Sequence, residues 1–223
     1  DNKSRVYGAS NPAFTAQYSG FVNDETLATS GISGEPLLAT IAVETTPAGR
    51  YPITGDKGTL QSLNYDFAFQ SGDLFIGKAH ILVKADDKTR FYGAANPVFT
   101  ATYTGFVNGE SLATSDITGA VSMTTTATAG SALGTYVITT TSGNLSSNNY
   151  YFTYSNGKLS VVKAELIIRA DNKTRTYGDV NPALTVTYEG FAPGESMSNS
   201  GITGEMSLFT NATSFSNAGA YDI

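Results

Sequence analysis

The sequence has no cysteine, no tryptophan and a single histidine, His80. Without cysteine there is no disulfide framework and no thiolate metal site. Charged residues make up 14% of the 223 residues, well below the roughly 25% of ordinary soluble domains. The surface therefore has to be covered mostly by Thr, Ser, Asn and Gly. The formal charge is −6 with no basic run, which excludes the electrostatic footprint of a nucleic-acid binder and argues against an anionic membrane surface. No stretch approaches the roughly 20 apolar residues of a membrane-spanning helix. No signal-peptide pattern precedes the first patterned residues, so a segment of a longer secreted chain is expected.

What is abundant points to β-structure. Thr favours strands because its branched side chain fits a half-buried pleat, and Ser, Asn and Gly favour turns. Hydrophobic residues, 40% of the chain and including 13 Tyr and 12 Phe, allow packed cores. The expected class is all-β.

An internal repeat sets the organisation. Arg5-Val6-Tyr7-Gly8 with Asn11-Pro12 recurs as Arg90-Phe91-Tyr92-Gly93 with Asn96-Pro97, and as Arg175-Thr176-Tyr177-Gly178 with Asn181-Pro182. The period is 85 residues. Tyr18-Ser19-Gly20-Phe21, Tyr103-Thr104-Gly105-Phe106 and Tyr188-Glu189-Gly190-Phe191 keep it, with no insertion or deletion. A unit this long exceeds a solenoid coil of about 20–50 residues and suits a small β domain. Lys78-Ala79 and Lys163-Ala164 mark the boundaries, giving residues 1–78 without a first strand, a complete 79–163, and 164–223 truncated at its C-terminal side. Strand-like runs meet at both boundaries without a Gly/Ser-rich linker, which predicts short, stiff junctions.

The complete unit reads as about seven strands. Ile81 to Lys84 alternates, and Lys88, Arg90 and Tyr92 continue with period two. Val98 to Tyr103, Thr135 to Thr139 and Asn149 to Tyr154 read as strands, and Ile117, Val121 and Met123 mark a further strand region. Residues 105–114 are irregular, with one helical turn expected around Glu110-Ser111-Leu112. Asn156-Gly157, replaced by Ser71-Gly72 one period earlier, reads as a type I′ hairpin turn, which needs positive φ at both central positions. The expected core face is Tyr150, Phe152, Leu159 and Val161 against Tyr136 and Ile138.

The combined pattern resembles a known family. Ala85 to Gly93, Asn96-Pro97, Tyr103 to Glu110, Gly134-Thr135-Tyr136, Asn149-Tyr150 and Asn156 to Leu159 look like the bacterial MBG ("mostly beta, glycine") repeat. Departures fall at Ala192-Pro193, where the preceding copy has Val107-Asn108, and at Asp24, where the other copies have Gly109 and Gly194. The resemblance implies tandem arrays in large secreted or surface-anchored bacterial adhesins, a structural or adhesive role and no catalytic residues.

Candidate chemistry is sparse. A hydrolytic triad needs a base, and His80 is the only usual candidate. Its counterpart is Glu165, so it is not part of the repeating design and is expected on a solvent-facing strand. Asp1, Asp86 and Asp171 recur, as do Glu25, Glu110 and Glu195. Calcium at the junctions is the one cofactor these acids suggest, but they form no dense Asp/Asn run, and turn capping or solvated charge is the expected role. Lys3, Lys88 and Lys173 with Asn64 and Asn149 raise a Lys–Asn isopeptide cross-link, against which stands the exposure expected for Lys88 beside Arg90. The aromatic residues are expected in the core, with Tyr65, Tyr150 or Tyr151 as the only candidates for a sugar-stacking platform.

The expectation is a tandem of small β-sandwich, immunoglobulin-like domains, with a β-grasp-like sheet as the alternative. No catalytic, metal or cofactor-binding residues are assigned. The expected role is a non-enzymatic stalk of an extracellular bacterial adhesin, whose partners are neighbouring repeats and, through the parent protein, a glycan or host surface protein. A weak multivalent binding module and an accessory region of a secreted hydrolase are the alternatives.

Overall fold

A computed structural model describes all 223 residues, Asp1 to Ile223. Thirteen strands follow in order: Lys3–Val6 (β1), Leu37–Ala39 (β2), Gly49–Asp56 (β3), Gly72–Gly77 (β4), Ala79–Ala85 (β5), Lys88–Phe91 (β6), Ala101–Thr104 (β7), Ser122–Thr124 (β8), Gly134–Thr141 (β9), Tyr150–Ser155 (β10), Gly157–Val162 (β11), Ile167–Ala170 (β12) and Val186–Glu189 (β13). The fold is all-β, and residues 79–163 contribute seven of the strands. The β-grasp-like alternative requires a helix, and there is none. The helical turn expected near Glu110 is a single turn, in which the amides of Thr114 and Ser115 donate to Ser111 O at 3.1 and 2.9 Å.

The chain folds into two compact units. The first holds Asp1–Asp86, Thr100–Thr124 and Thr139–Asn156. Its sheets have the orders β1-β4-β3-β2 and β10-β5-β7, and β8 pairs with Thr139–Thr141 of β9. β5 alternates because it is the middle strand of its sheet: Ala79, Ile81, Val83 and Ala85 point into the protein. One core joins Tyr7, Ile53, Leu74 and Ile76 to Ala79, Ile81, Val83, Ile117 and Tyr150. The residues on both sides of Lys78 thus bury their apolar faces together, each large side chain contributing about 1.5–3 kcal/mol.

The second unit holds Asp87–Phe99, Thr125–Ile138 and Gly157–Ile223. Here β11 lies between β6, to which it is parallel, and Gly134–Ile138 of β9, to which it is antiparallel. Leu159, Val161 and Ile138 are buried. β12 and β13 form an antiparallel pair with no third strand. Ile168, the counterpart of Val83, is 42% exposed where Val83 is 0%. β5 has a neighbour on each side and β12 has one, and a lone pair of strands covers little apolar surface.

The hairpin expected at Asn156-Gly157 does not form. Neither residue has a positive φ. Residues 150–155 pair in parallel with residues 79–84, and residues 159–162 pair in parallel with residues 88–91. Tyr150 lies opposite Ala79 and Leu159 opposite Lys88, the same register on both sides of the crossing. Asn156 Oδ1 accepts from Thr140 N at 2.9 Å, and Lys158 N donates to Asp87 Oδ1 at 2.8 Å. One period earlier, at Gly72, a Cβ would lie 2.7 Å from Asp1 O, so the neighbouring backbone leaves no room there for a side chain. The expected core face divides at the crossing as well: Tyr150 and Phe152 pack in the first unit, Leu159, Val161 and Ile138 in the second. The strand expected from Val98 begins only at Ala101.

Leu74 is fully buried in the first core and Ile168 is not. Leu74→Ala should lower stability by about 2–5 kcal/mol and Ile168→Ala by about 1 kcal/mol or less, read as urea midpoints by circular dichroism. Equal losses would contradict the assigned core.

Candidate functional site

The recurring Arg-x-Tyr-Gly segment builds the site. Arg5 is buried without a carboxylate partner. Its Nε donates to Asn11 Oδ1 at 2.7 Å and its Nη2 to Val43 O at 2.6 Å, while Asn11 Nδ2 donates to Ala42 O at 2.7 Å. The same set repeats with Arg90, Asn96, Thr128 O and Ala127 O, and with Arg175, Asn181, Thr213 O and Ala212 O. Carbonyls and an amide oxygen satisfy a buried cation that would otherwise be costly. This clamp straps the Tyr-Gly turn to the segment around residues 42–43 and fixes where the tyrosine points.

Tyr7 points at Glu110. Its Oη donates to Glu110 Oε1 at 2.6 Å, and Tyr150 Oη donates to Glu110 Oε2 at 2.5 Å. Tyr150 Oη also accepts from Val107 N at 3.2 Å. The two rings meet edge to face at 5.6 Å, and Phe106 packs on Tyr150 at 5.8 Å. Tyr7 is 4% and Tyr150 1% exposed. Burial first, and the Glu110 carboxylate second, push both phenols above their ordinary pKa. One carboxylate thus joins a tyrosine from residues 1–78 to a tyrosine from residues 79–163.

The arrangement recurs. In the second unit Tyr92 Oη donates to Glu195 Oε1 at 2.7 Å, which raises its pKa. Within the first unit Tyr65 Oη donates to Glu25 Oε2 at 2.6 Å, as Tyr150 does to Glu110. The glycine after each tyrosine serves the same contact. A Cβ on Gly8 would lie 2.5 Å from Val107 Cβ, and one on Gly93 would collide with Ala192 Cβ. Gly178 has no such neighbour, and Tyr177 is 66% exposed. A further bond ties Ala48 N to Asn149 Oδ1 at 3.0 Å.

The family model of the MBG domain (YGX type) matches residues 1–75, 81–160 and 166–223. The chain belongs to this family. The Tyr-Gly pairs at residues 7, 92 and 177 are therefore the same element of three MBG repeats. A search of curated proteins finds no match.

Other residues singled out in the sequence take plainer places. His80 is exposed, stacked 5.0 Å from Tyr151, with Nε2 2.7 Å from Thr153 Oγ1. Asp86 accepts from Thr100 Oγ1 at 2.5 Å and Thr102 Oγ1 at 2.7 Å. Asp171 accepts from Thr185 and Thr187, and these bonds hold its carboxyl below the usual range. Asp1 accepts from Thr15 Oγ1 at 2.5 Å. Nowhere do three or more His, Asp or Glu side chains gather in a way that suits a metal ion. The Asn149 amide is engaged with Ala48 N, and Asn64 N is bonded to Ser62 Oγ. Lys3 and Lys88 are half-buried and Lys173 is exposed. Lys88, expected to be exposed beside Arg90, is half-buried, and Arg90 itself is buried where the Asn96 clamp holds it. Of the three tyrosines considered for stacking on sugars, Tyr150 is buried at the junction, Tyr65 is half-buried and Tyr151 is exposed.

Sequence reasoning found Glu25, Glu110 and Glu195 but assigned them to the surface. Their phenol partners carry the same 85-residue period. The missing link was the separation of 103 residues between Tyr7 and Glu110, one period plus 18, which periodicity alone does not reveal.

Two predictions follow the geometry. Gly8→Ala and Gly178→Ala both force a side chain onto left-handed backbone, about 1–2 kcal/mol each. Gly8→Ala should cost about 1–3 kcal/mol more, since only its Cβ meets a neighbour; equal costs in urea denaturation would refute the contact. Tyr150→Phe or Tyr7→Phe should each lose about 1–2 kcal/mol. The unfolded chain releases these phenol protons near pH 10 and the folded chain at higher pH, so the stabilisation is full below pH 10 and lost as pH rises through the raised folded values. The alkaline fall in stability should be shallower in Tyr150→Phe, and an unchanged fall would place the titration elsewhere.

Proposed function

We propose that this chain is a stalk region of a secreted or cell-surface bacterial adhesin, extracellular and without catalysis of its own, which carries a distal binding domain. The observation that carries the reading is the junction around Glu110. A single residue, Lys78, separates β4 from β5, and the residues on either side share a core. Two phenols then hold one carboxylate across the join. A repeat array built to transmit force needs such joins, because a flexible Gly/Ser linker would let neighbours swing freely. The recurring positions support the same reading: they are clamp arginines, junction tyrosines, turn glycines and apolar side chains.

Single-molecule stretching of the chain held at its two ends tests this. The first unit should unfold in a discrete event, and Glu110→Gln, which keeps an acceptor but removes the charge, should lower its unfolding force. Extension without a discrete event, or a force unmoved by Glu110→Gln, would reject the stalk reading.

A further inference from the structure

From Ile117 to Gly157 the chain carries no charged side chain. The matching run one period earlier, Ile32 to Gly72, carries Glu35, Glu44, Arg50, Asp56, Lys57 and Asp66. The difference falls on a strand edge. β2 and β8 occupy the same place in two repeats, each the outermost strand of its sheet, beside β3 and β9 respectively. β2 is followed by residues 79–163 and β8 is preceded by residues 1–78, yet both stay unpaired on the outer side. The open edge therefore belongs to the repeat itself.

On β2 the edge is guarded. Exposed Glu35 and then Pro36 lead into it, and exposed Asp56 lies opposite Leu37 with Lys57 beside it. Charge and proline of this kind keep other strands from adding to an edge. On β8 the same four positions are Ala120, Val121, Thr141 and Ser142. The backbone around them is the same. Glu35 O accepts from Thr59 N at 2.9 Å, and Ala120 O accepts from Asn144 N at 3.2 Å. Ser33 bridges to Gln61 as Thr118 does to Ser146. The strand is kept and its guard is gone. What β8 shows to solvent is Ser122 and Thr124, opposite the exposed Thr141 and Thr139 of β9.

We propose that β8 is an interaction edge whose partner is β8 of a second copy of this chain, the two strands running antiparallel about a two-fold axis at Met123. Ser122 of each copy then faces Thr124 of the other, and hydroxyl pairs of this sort are favourable across strands. An antiparallel edge offers its own rotated copy matching donors and acceptors, and such a contact closes at two chains. Charge selects the partner. Two chains of net charge −6 repel each other, and this edge is where neither copy brings a charge to the contact. The strands are short, so the pair forms and separates readily.

The test is sedimentation equilibrium of the full 223-residue chain up to about 1 mM, with hydrogen exchange read at low and high concentration. A reversible monomer–dimer equilibrium is expected, with amides of residues 122–124 gaining protection in the dimer. Ala120→Glu with Val121→Pro installs the first copy's own residues, so the urea midpoint should hold while dimerisation weakens about tenfold or more. Thr124→Glu, an exposed site on the edge itself, gives a second reading and should weaken it as well. A chain monomeric throughout, association unmoved by either variant, growth beyond the dimer, or protection gained elsewhere and not at residues 122–124 would each overturn the proposal.

Discussion

The parallel pairing of a repeat's opening residues with its closing residues governs most of what surrounds it. Residues 79–91 and 150–162 stay in one register through two sheets, with Tyr150 opposite Ala79 at one end and Val162 opposite Phe91 at the other. Parallel strands are joined only by a long connection, so everything between them is constrained by where these two segments meet. The close backbone approach demands Gly72, where Asp1 O would strike a side chain. The Asp86 carboxylate braces the neighbouring strand through Thr100 and Thr102.

The packed unit and the sequence repeat are out of phase. Tyr7, Ile53, Leu74 and Ile76 come from one repeat and Ala79, Ile81, Val83 and Tyr150 from the next, yet they share one core. In a repeat array stability divides into terms within repeats and terms between neighbours. Here the neighbour term is large, since it includes a core and a half-buried carboxylate. The Arg5 clamp is local to its repeat, but its consequence is felt at the junction, because it aims Tyr7 at Glu110.

The all-β class, the 85-residue period and the family were legible because they rest on composition and exact recurrence. The strands themselves were mostly legible from alternation, as in Ala79–Ala85. Topology was not. Asn156-Gly157 carries the strongest local signal for a hairpin, yet a glycine is equally required where two backbones nearly touch, and the sequence does not distinguish the two demands. Glu110 looked like surface charge because its partners lie 40 and 103 residues away. The burial of Arg90 was not legible because its satisfaction comes from Asn96 and a carbonyl, not from an acid that sequence proximity would reveal.

The chain's low charge now has a structural counterpart. Arg50 and Asp73 form an ion pair on the surface, and exposed pairs of that sort contribute little and are screened by salt. The junction instead uses neutral phenols on a carboxylate, charge-assisted bonds that are short and stronger than neutral ones. Glu110 takes one phenol from its own repeat and one from the preceding repeat, and Glu195 takes its phenol from the preceding repeat in the same way. The two sides of this contact are different surfaces, so it is head-to-tail, and a head-to-tail contact propagates instead of closing on itself. The same few residues, Arg, Tyr, Gly and Glu at fixed spacing, can therefore join each repeat to the next without a junction having to be reinvented.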